Sequence, residues 1–333
     1  MSKAVVRLLL LSLWCCAPPC GAGQPIETGD FQVPALDPGI ELHLRHAQRV
    51  AGGAGRIVLF VHGATFPASS TFDAPLPNGS WMDRLAALGA DVYALDIRGY
   101  GGSTRPATMS QPPAASAPFA RTVDAVRDIA AAADFILARR NAQTLALIGW
   151  SWGTTTTAGY AATHPGKVDA LVLVSPVWLG VQPPGYQGGY RTSTRESARA
   201  FAIAGIPADR VADISPAADF DTWWRATLAT DPEGARRTPP VVRSPNGVLQ
   251  DFAELWAAGK PSYDPAQIRA PTLLLVGEWD VVTPPTMARE LFARLTGATD
   301  RRLILMAEAT HFLVIEKHRQ RVMREVQNFL DEH

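Results

Sequence analysis

The sequence predicts an α/β fold: a mostly parallel twisted sheet flanked by helices and interrupted by a mainly helical cap insertion. Three observations point there. Short apolar runs alternate with helical stretches from residue 56 to residue 175, as parallel strands joined by crossover helices require. The alternation stops after Ser175-Pro176 and resumes at Thr272, a gap too long for a loop in a compact domain. Between these limits, an apolar run from Leu145 ends in Gly149-Trp150-Ser151-Trp152-Gly153, and a small-residue helical stretch follows from Thr154. That is the strand, sharp turn and helix of a nucleophile elbow.

The elements follow in order. Residues 24 to 38, rich in Pro and Gly, read as an extended lead-in. Ile40-Glu41-Leu42-His43-Leu44 alternates with period two and reads as an outer antiparallel strand. Arg56–Val61 and Asp91–Ile97 are the next strands, with a helix around Trp81–Leu88 between them. Residues 104 to 118 form a Pro/Ala/Ser-rich loop, and a helix from Arg121 to Arg139 places Val123, Val126, Ile129 and Ala133 on one face. Strands follow at Leu145, Asp169–Ser175, Thr272–Gly277 and Arg302–Met306, and a helix closes the chain. The domain reading is a leader over 1–23, core over 24–176, cap over 177–268 and core again over 269–333.

A serine hydroxyl is a weak nucleophile at neutral pH and needs a base and an orienting acid. Ser151, Asp280 in Glu278-Trp279-Asp280, and His311 in Ala309-Thr310-His311-Phe312 all fall just past predicted strands. Carboxyl ends of parallel strands are where open sheets place their sites. Glu278 is the nearest rival acid. Of the seven histidines, His62 reads as a support of the turn after the first buried strand, and His43 and His46 as surface residues. Asp96 and Arg98 read as a structural pair. The Trp152 N–H, at the start of the helix after the elbow, is one donor for an oxyanion.

The motifs Val61-His62-Gly63-Ala64, Asp96-Ile97-Arg98-Gly99-Tyr100-Gly101-Gly102-Ser103, Gly149–Gly153, Gly277–Asp280 and Thr310–Phe312 resemble, in order, those of α/β-hydrolases of the cap-bearing, esterase-like group. The resemblance spans residues 57 to 312. It implies a second oxyanion donor from the Ala64 N–H, with Thr65 the alternative. It also implies Ser-His-Asp chemistry through an acyl-enzyme, with no cofactor and no metal. The elbow is similar to that of proline iminopeptidases as well, in which cap carboxylates hold a free amine; Glu196, Asp219, Asp221 and Glu254 are the acids available for that. Lactonases and carbon–carbon bond hydrolases share the fold, and a non-catalytic binding protein is the reading from a different class. Epoxide hydrolases and haloalkane dehalogenases carry aspartate where Ser151 stands.

Lys3 and Arg7, an apolar run from Leu8 to Trp14 and the small residues Gly21-Ala22-Gly23 follow the pattern of a secretory signal peptide. Export to the periplasm or medium is the expectation, with no membrane span in the mature chain. All three cysteines, Cys15, Cys16 and Cys20, lie in that leader, so disulfides and thiolate chemistry are excluded from the remainder. The balance of 31 basic and 31 acidic residues gives no electrostatic case for nucleic acid. Aromatic residues crowd the cap, and Trp150, Trp178, Trp223, Trp224 and Trp256 are the expected lining of an apolar pocket. The expected reaction is hydrolysis of a small or medium apolar carboxylic ester.

Overall fold

The computed structural model describes residues 25–50, 55–180 and 185–333; the leader reading and its cysteines lie outside them. Among the described residues there are ten strands: β1 Ile26–Pro34, β2 Glu41–Arg49, β3 Ile57–Val61, β4 Asp91–Leu95, β5 Leu145–Trp150, β6 Val168–Val174, β7 Tyr190–Ser193, β8 Val242–Pro245, β9 Thr272–Gly277 and β10 Arg301–Met306. Eight form one sheet in the order β1-β2-β4-β3-β5-β6-β9-β10. β1, β2 and β4 pair antiparallel, and every other neighbour pairs parallel.

Alternation along each buried strand feeds two cores, one on each face. β3 sends Leu59 and Val61 to one side and Val58 and Phe60 to the other. Helices Thr122–Arg140, Trp152–Thr163 and Pro285–Arg294 cover the first face. Helices Trp81–Ala87 and Arg319–Glu332 cover the second. No helix among the described residues is long and apolar enough to cross a membrane.

The antiparallel edge differs from the sequence reading. The stretch read as a lead-in is strand β1, registered with β2 from Ile26↔Arg49 to Pro34↔Glu41, so β2 is not outermost. Edge strands tolerate the Pro and Gly that mask them in composition. His46 is not a surface residue: it is 5% exposed and sits 2.6 Å from Asp91, while His43 is half-buried and bridges Asp30 and Asp96 at 2.9 Å each. Asp96 and Arg98 do not pair with each other. Arg98 takes Asp128 and Asp37, while Asp96 accepts from the Ala68 and Gly102 N–H groups. Val123 is 64% exposed, because the buried stripe of its helix runs through Ala125, Ile129, Ala132 and Ile136. A residue two positions away lies on the opposite side.

Between β6 and β9 the chain builds the cap. Helices Arg195–Ala202 and Ala217–Ala229 lie in the chain between β7 and β8, which pair antiparallel as a small two-stranded sheet with Arg191 facing Ser244. A buried ion pair anchors β8. The Arg243 guanidinium meets Asp231 through Nε (2.9 Å) and Nη2 (2.6 Å) and reaches the Met109 carbonyl at 2.7 Å.

Candidate active site

The elbow forms because two glycines let strand β5 and the following helix pass at contact distance. A Cβ on Gly149 would sit 2.4 Å from the Gly153 carbonyl oxygen, and one on Gly153 would sit 2.3 Å from that of Val61. At the apex Ser151 is held at φ 56°, ψ −125°, a conformation costly for a residue with a side chain. Its N–H donates to the Val174 carbonyl at 2.9 Å. That bond fixes the turn against β6.

Ser151 meets two residues from distant loops. His311 Nε2 lies 2.9 Å from Ser151 Oγ, and Asp280 Oδ2 lies 3.0 Å from His311 Nδ1. Asp280 sits in the turn after β9, where its other oxygen accepts the N–H groups of Val282 (2.9 Å) and Thr283 (2.8 Å). The Thr283 hydroxyl adds a 2.8 Å bond to Oδ2. Burial pushes this carboxyl up, but the imidazole and the Thr283 bonds outweigh burial and hold it below its ordinary value. Asp280 therefore stays ionised and receives Nδ1–H, which leaves Nε2 free to accept the serine proton. Glu278 does not enter this line. It accepts the Glu308 N–H at 3.2 Å instead.

The loop carrying His311 is tied at both ends. The Trp150 indole donates to the His311 carbonyl at 2.9 Å, so the residue before the serine also holds the histidine. Behind the ring, the N–H and hydroxyl of Thr310 both donate to Glu316. Glu316 is buried, and burial pushes its carboxyl up to about 7.

The turn after β3 flanks the serine, and Ala64, Trp152 and Ser151 line one cavity. The Ile97 N–H donates to His62 Nε2 at 3.1 Å, so the ring proton sits on Nδ1, 2.7 Å from the Gly63 carbonyl. Burial holds this imidazole below its ordinary pKa, consistent with a neutral ring. Peptide planarity then fixes the Ala64 N–H, because it belongs to the same unit as the Gly63 carbonyl.

The cavity holds about 380 Å³, within the range of small-molecule sites. Phe66, Trp150, Val177, Phe201, Leu249 and Phe252 supply apolar wall, and Thr192, Ser193 and Ser197 of the cap supply hydroxyls. Trp178, Trp223, Trp224 and Trp256 are not part of the lining. Trp223 packs edge-on against Phe66 and Phe312 and in turn touches Trp224; Trp178 packs on Tyr263, and Trp256 on Phe252. All four are buried in packing against other rings, and Trp223 joins cap to core. Sequence reasoning passed over Thr283, Glu316 and Arg191. Thr283 had a signal, since an Asp that turns the chain bonds the backbone two residues on and Thr283 lies one residue beyond that; Arg191 had none.

Residues 55–318 match the serine aminopeptidase S33 family. A pimeloyl-[acyl-carrier protein] methyl ester esterase of Neisseria meningitidis serogroup B is 29% identical over 234 residues, covering 69% of this chain and 78% of that protein. Among solved structures, a serine hydrolase involved in carbazole degradation aligns with a TM-score of 0.63 at 20% identity, covering 92% of this chain and 100% of that one. A thermophilic esterase from Thermogutta terrifontis aligns with a TM-score of 0.62 at 19% identity, covering 91% and 98%. At these identities the structural likeness speaks for the fold.

Proposed function

The chain belongs to the serine aminopeptidase S33 family of α/β-hydrolases, and from that premise we propose that it cleaves a small or medium apolar carboxylic ester through Ser151, His311 and Asp280. The observation that carries the reading is the unbroken hydrogen-bonded line from Asp280 through His311 to Ser151, opening on an apolar cavity. Ser151 Oγ attacks the ester carbonyl as His311 Nε2 takes its proton, and Asp280 stabilises the imidazolium. The backbone N–H groups of Trp152 and Ala64 receive the charge that develops on the carbonyl oxygen. Proton return from His311 releases the alcohol. A water deprotonated by the same nitrogen then attacks the acyl-enzyme, and the carboxylic acid leaves.

The curated relative that acts on a methyl ester supports an ester. So does the charge of the cavity, which argues against the aminopeptidase chemistry in the family's description. A free amine needs a carboxylate, and among the described residues none lines this cavity. Asp221 is paired with Arg195, Glu254 with Arg121 and Asp219 with Arg319, and Glu196 is exposed. We also propose export, on the strength of the apolar run behind Lys3 and Arg7.

Hydrolysis of p-nitrophenyl esters from acetate to decanoate, beside proline p-nitroanilide and with Ser151→Ala as control, tests the proposal. Ester turnover that disappears in the variant is expected, and the preferred chain length sizes the pocket. Turnover of the anilide in preference to every ester would refute the ester reading, and activity surviving in Ser151→Ala would refute the mechanism.

A further inference from the structure

One permanently charged side chain lines the cavity among the described residues: Arg191, from strand β7 of the cap. No carboxylate among the described residues pairs with it. Its contacts are to neutral oxygens, and they converge on the turn beside the serine. Nη2 donates to the Ala64 carbonyl and, at 3.0 Å, to the Thr65 hydroxyl. Nη1 donates to the Pro245 carbonyl (2.7 Å) and to Asn246 Oδ1 (3.3 Å), at the end of β8. The Tyr100 hydroxyl takes the Ala64 carbonyl as well, at 2.7 Å. Ser244, directly across the two-stranded sheet from Arg191, donates to the Thr65 carbonyl at 2.7 Å.

We propose that Arg191 is a positioning residue that makes the two-stranded sheet of the cap part of the oxyanion site. The role rests on the serine-hydrolase reading above. Three consecutive carbonyls of the turn are held: Gly63 by His62, Ala64 by Arg191 and Tyr100, Thr65 by Ser244. Each held carbonyl fixes the N–H that follows it in the same planar unit. The tie on Gly63 sets the Ala64 N–H, and the tie on Ala64 sets that of Thr65 and stops the residue between them from rotating. Two of these holds come from the core and two come down from the cap.

The charge acts in the same direction. An enclosed guanidinium without a carboxylate is costly, and burial holds this one below its ordinary pKa. Its field is unspent in the resting protein and favours the anionic tetrahedral species over the neutral ester. A residue that binds substrate and transition state equally lowers KM alone; one that shapes the oxyanion site changes kcat.

The experiment compares Arg191→Met, Arg191→Lys and Ser244→Ala in the full chain. Its readouts are kcat and KM for p-nitrophenyl butyrate, inhibition by an aliphatic trifluoromethyl ketone, and the rate of Ser151 phosphonylation by a fluorophosphonate. For Arg191→Met, kcat should fall roughly 10–100-fold, with KM within about threefold and ketone affinity falling in parallel with kcat/KM. Arg191→Lys keeps the charge without the fork and should fall between. Added guanidinium ion should return part of the Arg191→Met rate. An unchanged kcat, or a loss confined to KM, overturns the proposal. If Arg191→Met does not fold, Ser244→Ala and Tyr100→Phe each remove one neutral bond from the same turn, and full kcat in both overturns it. A wild-type protein that hydrolyses no ester defeats the ester reading alone. Phosphonylation then decides the role of Arg191, because equal rates in wild type and Arg191→Met are incompatible with it.

Discussion

Replacing Glu316 with glutamine should make the protein more stable at alkaline pH and leave it unchanged in acid. Glu316 sits behind the His311 loop, where it accepts from the Thr310 N–H and hydroxyl. Burial raises its carboxyl from 4.5 to about 7; the Thr310 bonds oppose that rise, the Asp280 charge adds to it and His311 opposes it. A folded-state pKa above the unfolded one means that the native protein binds the extra proton between these values. Stability therefore falls as pH rises through the window from about 4.5 to about 7. At 1.36 kcal/mol per unit, the whole displacement corresponds to a ceiling of about 3 kcal/mol. Glutamine keeps an oxygen for the Thr310 N–H and presents an amide to the hydroxyl, without the charge. The assay is urea unfolding of both proteins at pH 4, 5, 6, 7 and 8. The difference should be near zero at pH 4, open through pH 5 to 7 and level at about 1–3 kcal/mol in favour of Glu316→Gln. Parallel curves across the series, or a variant less stable than wild type at pH 8, would refute the reasoning.

Asp280→Asn keeps an oxygen for the Val282 and Thr283 N–H groups but turns an amide toward Nδ1, which favours the wrong imidazole tautomer. kcat for p-nitrophenyl esters should drop on the order of 10⁴-fold, with an unchanged far-ultraviolet circular dichroism spectrum. Gly153→Ala drives a Cβ to 2.3 Å from the Val61 carbonyl oxygen, a backbone atom that cannot step aside. A loss of about 1–3 kcal/mol or more is expected in denaturant unfolding, together with slower fluorophosphonate labelling. Arg243→Met strands the fully buried Asp231 carboxylate and should cost about 3–5 kcal/mol by thermal unfolding.

What was legible in the sequence follows a physical division. Ser151, Asp280 and His311 could be located because each follows a strand marked by an apolar run, buried throughout for Ser151 and Asp280 and at the sheet edge for His311, and because Gly149 and Gly153 mark a turn where backbones must touch. Such signals are local. β1 escaped because an edge strand pairs on one side only and tolerates a composition that reads as loop. Val123 was misplaced because one apolar residue at a helix start says little about rotation. In the cap, aromatic residues at helical spacing pack onto the core or face the cavity according to how the helices sit, which no local pattern encodes. Trp178, Trp223, Trp224 and Trp256 went one way, and Phe201 and Phe252 the other. Arg191 was invisible for a stronger reason. An arginine in Tyr190-Arg191-Thr192-Ser193 reads as a solvated charge, and only the return of β8 and the turn after β3 enclose it.

β6 and β9 are adjacent strands of the large sheet, although the entire cap lies between them in the chain. The cap is thus an excursion that departs and comes back at one seam. The sheet itself asks only for a crossover long enough to join two parallel strands, which is a dozen residues or so. The hydrogen bonding of the sheet leaves the content of the cap free to vary. The bonds from Arg191 to Ala64 and from Ser244 to Thr65 set the boundary on that freedom. A transplanted cap would have to bring its own donors to the same two residues, or arrive with a pocket and no means of steadying the turn beneath it.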